Sequence, residues 1–394
     1  MNRKNTKTNI FNLVIIILIC CLCFTGCSSI KTNKVNIIQN TYTTETVDKL
    51  TTNVVESIEK VEDSVVEIYA SNNNSTSCGS GVIINLQNED KIDNAKKNEN
   101  EYYVITNFHV IENAFQFYIK LTNSQKTYNT TLIGGDYKSD IAVLLIKTTD
   151  LLTTSTFGDS SLLKKGQTCF AIGNPLGQLG GSVSVGNISF LNRQITVEGN
   201  VMSLIQTTAA INSGNSGGGL FDELGNLIGV VNAKSSGTGI EGIGFAIPSN
   251  DALKCFAQII NSCVMDGGNV ISYGYVEGNT NLGLQVKESY GSLYVSSVMQ
   301  NSDSAKAIGN VSSSLNGTST STVTGLVSDD KIISVNGKVI STFNEYYNIV
   351  NNLKIGQTLK IVVLRTSAFM FESRNYYITF NITLTQFLYE PPTV

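Results

Sequence analysis

The stretch Ile211-Asn-Ser-Gly-Asn-Ser-Gly-Gly-Gly219 restricts the fold and chemistry of this chain more than any other. Ser216 is surrounded by Gly214, Gly217 and Gly218, which allow backbone angles that a side chain forbids. In such a loop the amides of Gly214 and Ser216 converge on one point beside the Ser216 hydroxyl. That arrangement suits an oxyanion forming next to a nucleophile. Alone, the same letters also describe a glycine-rich hairpin with an incidental serine.

A serine hydroxyl is a weak nucleophile and needs a base within hydrogen-bond reach. The chain has one histidine, His109, in Tyr103-Val-Ile-Thr-Asn-Phe-His-Val-Ile111, where it closes an apolar β-like run. A carboxylate must then fix the imidazole tautomer. Asp140 suits this role because it leads into Ile141-Ala-Val-Leu-Leu-Ile146, a strand apolar on both faces. An acid at the mouth of such a strand is half buried and requires a polar partner. Asp136 and Asp159 compete for the role, but neither abuts so apolar a run.

The order His109, Asp140, Ser216 is that of chymotrypsin-like enzymes, not of subtilisins or α/β-hydrolases. The sequence resembles the HtrA/DegP family of trypsin-like serine proteases with PDZ domains. The segments carrying the resemblance are Gly79-Ser-Gly-Val-Ile-Ile84, Thr106-Asn-Phe-His-Val110, Asp140-Ile-Ala-Val-Leu144 and Ile172-Gly-Asn-Pro-Leu-Gly177. They continue through Ser182-Val-Ser-Val-Gly186, Ile205-Gln-Thr-Thr-Ala-Ala-Ile-Asn212, Gly214-Asn-Ser-Gly-Gly218 and Ile243-Gly-Phe-Ala-Ile-Pro248. Thr208 and Gly219 depart from the family, which usually has Asp and Pro there.

The resemblance implies a serine endopeptidase of extracytoplasmic quality control that acts on unfolded or damaged proteins without a cofactor. Its triad would be His109, Asp140 and Ser216, and its oxyanion hole the amides of Gly214 and Ser216. Ala210, Ile211, Val231, Asn232 and Ala233 would line the substrate pocket. In chymotrypsin-like proteases the residue six before the nucleophile lies at the pocket base, and here it is Ala210, not an acid. Cleavage is therefore expected after small or medium aliphatic residues, because an unpaired cation in an apolar pocket costs several kcal/mol. The family often forms trimers, so a homotrimer is a further implication.

Two other function classes fit parts of this pattern. A catalytically silent peptide-binding or chaperone-like scaffold would show an eroded triad or oxyanion loop, and neither is eroded. An esterase would prefer Gly-x-Ser-x-Gly at a strand-to-helix elbow, and Asn215-Ser216-Gly217 lacks the leading glycine where it is required.

The first 27 residues read as a lipoprotein-type signal. Arg3, Lys4 and Lys7 precede an uncharged run from Leu13 to Phe24, shorter than the ~20 residues of a spanning helix. The run ends in Phe24-Thr-Gly-Cys27, where small residues before Cys27 suit cleavage and lipidation. Localisation on the outer face of a bacterial membrane through that lipid follows. A net charge of −4 with no basic cluster beyond the N-terminus argues against nucleic acid. Cys78, Cys169, Cys255 and Cys263 remain after processing, with three possible pairings, and no two of these four form a C-x-x-C pair that would suggest a metal site.

Residues 28–46 are a polar tether, and Val47 to Val61 carries a helical period. From Ser64 onward short β-branched strands separated by glycine turns predict a mainly β fold, a chymotrypsin-like double barrel over 47–262. Asn85 to Glu101 reads as an exposed insertion in it. A helix from Ala252 to Asn261 follows, capped by Ser249 or Asn250, and Asp266-Gly-Gly-Asn269 marks the boundary. Residues 268–390 resemble one α+β PDZ domain with a Ser/Thr-rich insertion at 302–324. Leu282, Gly283 and Leu284 would form its carboxylate loop for peptide C-termini, Asn336-Gly337 a hairpin turn, and Phe343 to Leu353 the groove helix.

Overall fold

The computed structural model describes residues 54–84, 86–87, 100–174, 181–197, 200–233, 242–315, 317–369, 372–389 and 391, together with 36–37 and 39–40. Cys27, the signal segment, most of the tether and most of the 85–101 insertion lie outside the described residues. Of the helical period from Val47 to Val61, the part described is helix α1 (Val54–Val61). Its buried face, Ser57 and Val61, lies against the turn at Gly225, and Ser57 Oγ donates to the Glu223 carbonyl.

Six strands then close a barrel: β1 (Val65–Ser71), β2 (Thr76–Ile84), β3 (Asn100–Thr106), β4 (Gln116–Leu121), β5 (Thr127–Asp136) and β6 (Ile141–Thr148). The order around it is β1-β2-β3-β6-β5-β4, with β4 returning to β1. Strand β6 is apolar on both faces because one face lines the barrel and the other packs towards helix α3 below. Between β3 and β4 the chain makes a single helical turn, α2 (Phe108–Ile111). His109 thus sits in a helical turn after the strand, not at the strand end that its apolar flank suggested.

A second barrel uses β7 (Thr168–Gly173), β8 (Ser182–Val197), β9 (Asn200–Thr207), β10 (Gly219–Asp222), β11 (Leu227–Val231) and β12 (Gly244–Pro248). Its order, β7-β8-β9-β12-β11-β10, closes where β10 pairs with β7. The fold is therefore mainly β, with the two six-stranded barrels of a chymotrypsin-like protease. One apolar cluster runs between the barrels, joining Val82, Ile105 and Val143 to Phe170, Phe221 and Leu227. Such a shared core fixes the barrels against each other, since interiors pack as tightly as organic crystals.

Helix α3 (Ser249–Ser262) buries Ala252, Phe256 and Ile259 in that cluster. It begins directly after Pro248, without a side-chain cap. Ser249, expected as a cap, instead donates to the Gly158 carbonyl, and Asn250 bonds Asp159 and Ser160. The Asp266 to Asn269 boundary is the turn of a small hairpin, β13 (Val264–Asp266) and β14 (Asn269–Ser272).

Among the described residues, the remaining chain forms one sheet with two helices. Its elements are β15 (Leu284–Ser289), β16 (Ser292–Val298), α4 (Asp303–Lys306), β17 (Ile308–Ser312), β18 (Ser321–Thr324) and β19 (Lys331–Val335). They continue with β20 (Lys338–Val339), α5 (Phe343–Val350), β21 (Thr358–Phe369) and β22 (Glu372–Thr383). The sheet order is β15-β16-β19-β21-β22-β17-β18, with β20 paired to β19. The Ser/Thr-rich stretch 302–324 supplies α4, β17 and β18, and β17 pairs with β22. Asn336 and Gly337 both take positive φ, as a two-residue hairpin turn requires. Helix α5 starts with a capping box between Thr342 and Glu345.

Candidate active site

The site is assembled from the turns at the strand ends of both barrels. On the first barrel, the 136–140 turn between β5 and β6 delivers Asp140 in a left-handed conformation, φ 53°. Its side chain is 10% exposed, as is that of His109. The carboxylate accepts three kinds of donor. The His109 amide reaches Oδ1 at 3.0 Å, the imidazole Nδ1 reaches Oδ2 at 2.8 Å, and Asn232 Nδ2 reaches Oδ2 at 2.9 Å. Asn107 Nδ2 holds the Asp140 carbonyl at 3.1 Å. A carboxylate only accepts, so Nδ1 of the His109 ring carries a proton and donates it to Asp140.

Asp136, the competing acid, is wholly buried and turned away from the imidazole. Its Oδ2 accepts from the Ser139 amide and hydroxyl and from Asn279 Nδ2, each at 2.8 Å. Burial pushes its carboxyl above the ordinary value of 3.8, opposed by those hydrogen bonds. Asp136 shapes the turn that presents Asp140. Asp159 caps the 160–162 turn through Ser161.

The second barrel brings Ser216 in the loop before β10. Gly214 and Gly217 take φ of 94° and 83°, the angles anticipated for a glycine loop. A Cβ on Gly217 would lie 2.2 Å from the Ser80 carbonyl and 2.3 Å from Thr106 Oγ1, so this position accepts only glycine. Among the described residues the amides of Gly214 and Ser216 donate to no acceptor. The Ser216 hydroxyl accepts from the Ala233 amide at 3.3 Å, and no hydrogen bond joins it to His109.

Ser80, inside a segment used above only for its resemblance, links the two halves. Its amide donates to the Ser216 carbonyl at 2.8 Å and its hydroxyl to the Gly214 carbonyl at 2.8 Å. The same hydroxyl accepts from the Asn174 amide at 2.9 Å, and the Ser80 carbonyl accepts from Thr106 Oγ1 at 2.7 Å. A fully buried serine whose amide and hydroxyl both donate to carbonyls of the glycine loop holds those carbonyls in place. Sequence reading passes over Ser80 because its partners are distant in the chain and carry no periodic signal.

The pocket residues divide. Ala210, expected at the pocket base, is exposed, and its carbonyl accepts from Ser184 Oγ. Ile211 and Val231 are buried together with Ala209 and Leu220. Asn232 is wholly buried, but its side chain serves Asp140 rather than a pocket wall. Ala233 contributes its amide to Ser216.

Leu282 and Leu284 belong to the core of the C-terminal sheet, and Gly283 takes φ 59°. The Tyr137 hydroxyl donates to the Thr280 carbonyl at 3.1 Å, and the Gly283 amide is directed at the Tyr137 hydroxyl oxygen. Cys78, Cys169, Cys255 and Cys263 are free thiols, and burial pushes Cys169 and Cys255 up to about 11. Among the described residues no group of His, Cys, Asp and Glu is placed to hold a metal ion, and no helix is long and apolar enough to cross a membrane.

The profile of the trypsin-like peptidase domain matches residues 79–230. The chain is 35% identical over 342 residues to the serine protease Do-like HtrB of Bacillus subtilis, covering 79% of this chain and 68% of that protein. It is 35% identical over 289 residues to the periplasmic serine endoprotease DegP of Escherichia coli, covering 73% of this chain and 54% of DegP. The chain thus spans about two thirds of the first relative and about half of the second. A solved serine endoprotease from Yersinia pestis shares 27% identity over 86% of this chain and 100% of that one, with a TM-score of 0.46.

Proposed function

This chain belongs to the HtrA/DegP family of trypsin-like serine proteases, and from that membership we propose that it is a serine endopeptidase cleaving unfolded or damaged proteins outside the cytoplasm. The observation that carries the reading is the Asp140 carboxylate locking His109 through Nδ1, opposite a loop that presents Ser216 beside two open amides. His109 Nε2 takes the Ser216 proton as the hydroxyl attacks the scissile carbonyl. The amides of Gly214 and Ser216 stabilise the resulting oxyanion, and His109 then protonates the leaving amine. Water repeats the sequence to release the acyl group. Removing one such amide donor from a comparable site costs about 3 kcal/mol.

The resting hydroxyl bonds the Ala233 amide rather than His109, so substrate binding completes the last hydrogen bond. Such bonds are often long in unliganded enzymes and tighten with substrate. Ile211, rather than Ala210, is the buried apolar residue at the pocket, which supports cleavage after Val, Ala, Ile or Thr. One methylene changes preference by only about 1–3 kcal/mol, so the specificity is broad.

Residues 47–262 form the protease unit and 268–390 a PDZ domain whose Gly283 loop and α5 helix offer a groove for peptide C-termini. Cys27 is lipidated and holds the enzyme on the outer face of the membrane. The DegP relative is named as periplasmic, in keeping with an exported enzyme. The test is fluorophosphonate labelling with casein as unfolded substrate. Labelling and hydrolysis are expected, and both should vanish in Ser216→Ala. An unlabelled, properly folded parent enzyme would overturn the reading. For the lipid, Cys27→Ser protein should leave the membrane fraction, and its retention there would refute the anchor.

A further inference from the structure

We propose that Phe387 and Tyr389, which lie after the last strand of the C-terminal sheet, are positioning residues for the His109–Asp140 pair. The proposal rests on the reading of these two residues and Ser216 as the catalytic groups. Phe387 and Tyr389 are 2% and 8% exposed, and both join the core of the first barrel rather than that of their own sheet. The Phe387 ring stands edge-on to Phe108 at 5.9 Å and to Tyr137 at 4.7 Å. Phe108 immediately precedes His109, and Tyr137 lies three residues before Asp140. One ring therefore touches both elements that carry the pair.

Tyr389 adds a second hold on the same turn. Its ring stands edge-on to Phe108 at 4.8 Å, and its hydroxyl donates to the Ile111 carbonyl at 3.4 Å. Ile111 ends the four-residue turn α2. A single helical turn fixes several dihedrals for very few hydrogen bonds and does not hold its own geometry. The turn carrying His109 is thus set by what packs against it, and Phe387 and Tyr389 are a large part of that packing.

The wedge is itself anchored. The Phe387 amide donates to the Asn279 carbonyl at 2.8 Å, and Gln386 Nε2 donates to the Val276 and Asn279 carbonyls at 2.9 and 3.1 Å. Asn279 in turn donates to Asp136 at 2.8 Å, and the Gly274 amide donates to the Ile133 carbonyl at 2.8 Å. Segments 274–280 and 385–389 therefore grip the 133–140 stretch from two sides. Removing the Phe387 ring lets α2 and the Asp140 turn slide past each other. A displacement near 1 Å at a reacting group costs about 10²-fold in rate.

The test uses the full chain and a peptide substrate under steady-state conditions. Phe387→Ala should lower kcat about 10²-fold and leave KM within about twofold, since the loss falls on the transition state. Phe387→Leu, which keeps most of the volume, should recover most of the lost rate. His109 is the only imidazole, so its Nδ1 proton resonance is a unique reporter; it should broaden in Phe387→Ala and persist in Phe387→Leu. If Phe387→Ala does not fold, Tyr389→Phe carries the test, and a severalfold loss of kcat is expected. A folded Phe387→Ala enzyme, or in its absence Tyr389→Phe, with parental kcat and resonance overturns the proposal. So does an effect confined to KM. Parental activity in His109→Ala would instead overturn the catalytic reading on which the proposal rests.

Discussion

On the first-barrel side of the site, the Asp140 carboxylate receives the His109 amide, the His109 ring and Asn232, and nothing remains to be arranged. On the second-barrel side, the Gly214 and Ser216 amides donate to no acceptor among the described residues, and the Ser216 hydroxyl rests on Ala233. The closed half is a set of charge-assisted hydrogen bonds, which are short and need no substrate to form. The open half is a backbone loop whose amides, on the proposed reading, would meet a charge that forms only during reaction. Asn232 follows the second-barrel strand β11, so the hydrogen bonds that orient the pair already span both barrels, while none joins Ser216 to His109.

The largest effects should come from cutting the join itself. Ser216→Ala and His109→Ala are each expected to lower kcat by about 10⁶-fold, since the groups act as one unit. Casein hydrolysis with matched circular dichroism measures this, and His109→Ala within tenfold of the parent would contradict the pairing. Asp140→Asn should cost about 10⁴-fold by presenting the wrong tautomer. The same assay, run with a thermal melt, separates that loss from unfolding.

Two smaller substitutions sharpen the comparison between the halves. Asn232→Ala removes one donor from the Asp140 carboxylate, a hydrogen bond to a charged group worth about 1.5–3 kcal/mol. It should slow acylation about tenfold or more and leave the geometry of the glycine loop intact. Ser80→Ala strips the Gly214 carbonyl and the Asn174 amide of their partner. It should reduce fluorophosphonate labelling about tenfold by letting the open half drift. Labelling at the parental rate in Ser80→Ala would show that the loop holds itself.

The smallest effect concerns pH and Asp136. Its folded carboxyl lies above the ordinary 3.8 because it is buried. Between those two values the folded chain binds more protons than the unfolded one, so stability falls as pH rises through the window. The slope is at most about 1.4 kcal/mol per pH unit. Asp136→Asn should remove that slope, so the urea midpoints of parent and variant should diverge as pH rises from 4. Parallel curves would show that the hydrogen bonds from Ser139 and Asn279 offset the burial.

Much of this was legible in the letters. The strands of both barrels follow from β-branched runs broken by glycine, and His109, Asp140 and Ser216 from residue types with few alternatives. What escaped has a physical pattern. The bonds of Ser80, the Asn232 bond to Asp140 and the packing of Phe387 on Phe108 and Tyr137 join residues far apart in sequence, and no local periodicity encodes such contacts. The expected Ser249 or Asn250 cap failed because tertiary acceptors outcompeted the helix end. Ala210 was placed by counting from the nucleophile, and the loop's real course leaves it exposed while Ile211 turns inward.

The seating of Phe387 and Tyr389 in the first barrel also has a consequence for biosynthesis. Ribosomes deliver about 5–20 residues per second, and domains generally fold as they emerge. The first barrel's strands are complete by Thr148, yet two aromatic members of its core are not made until the C-terminal sheet has been translated. The earliest-made part of this molecule is therefore among the last to be finished, and the nascent chain passes through a long interval in which every strand of the barrel exists but its interior is still missing two rings.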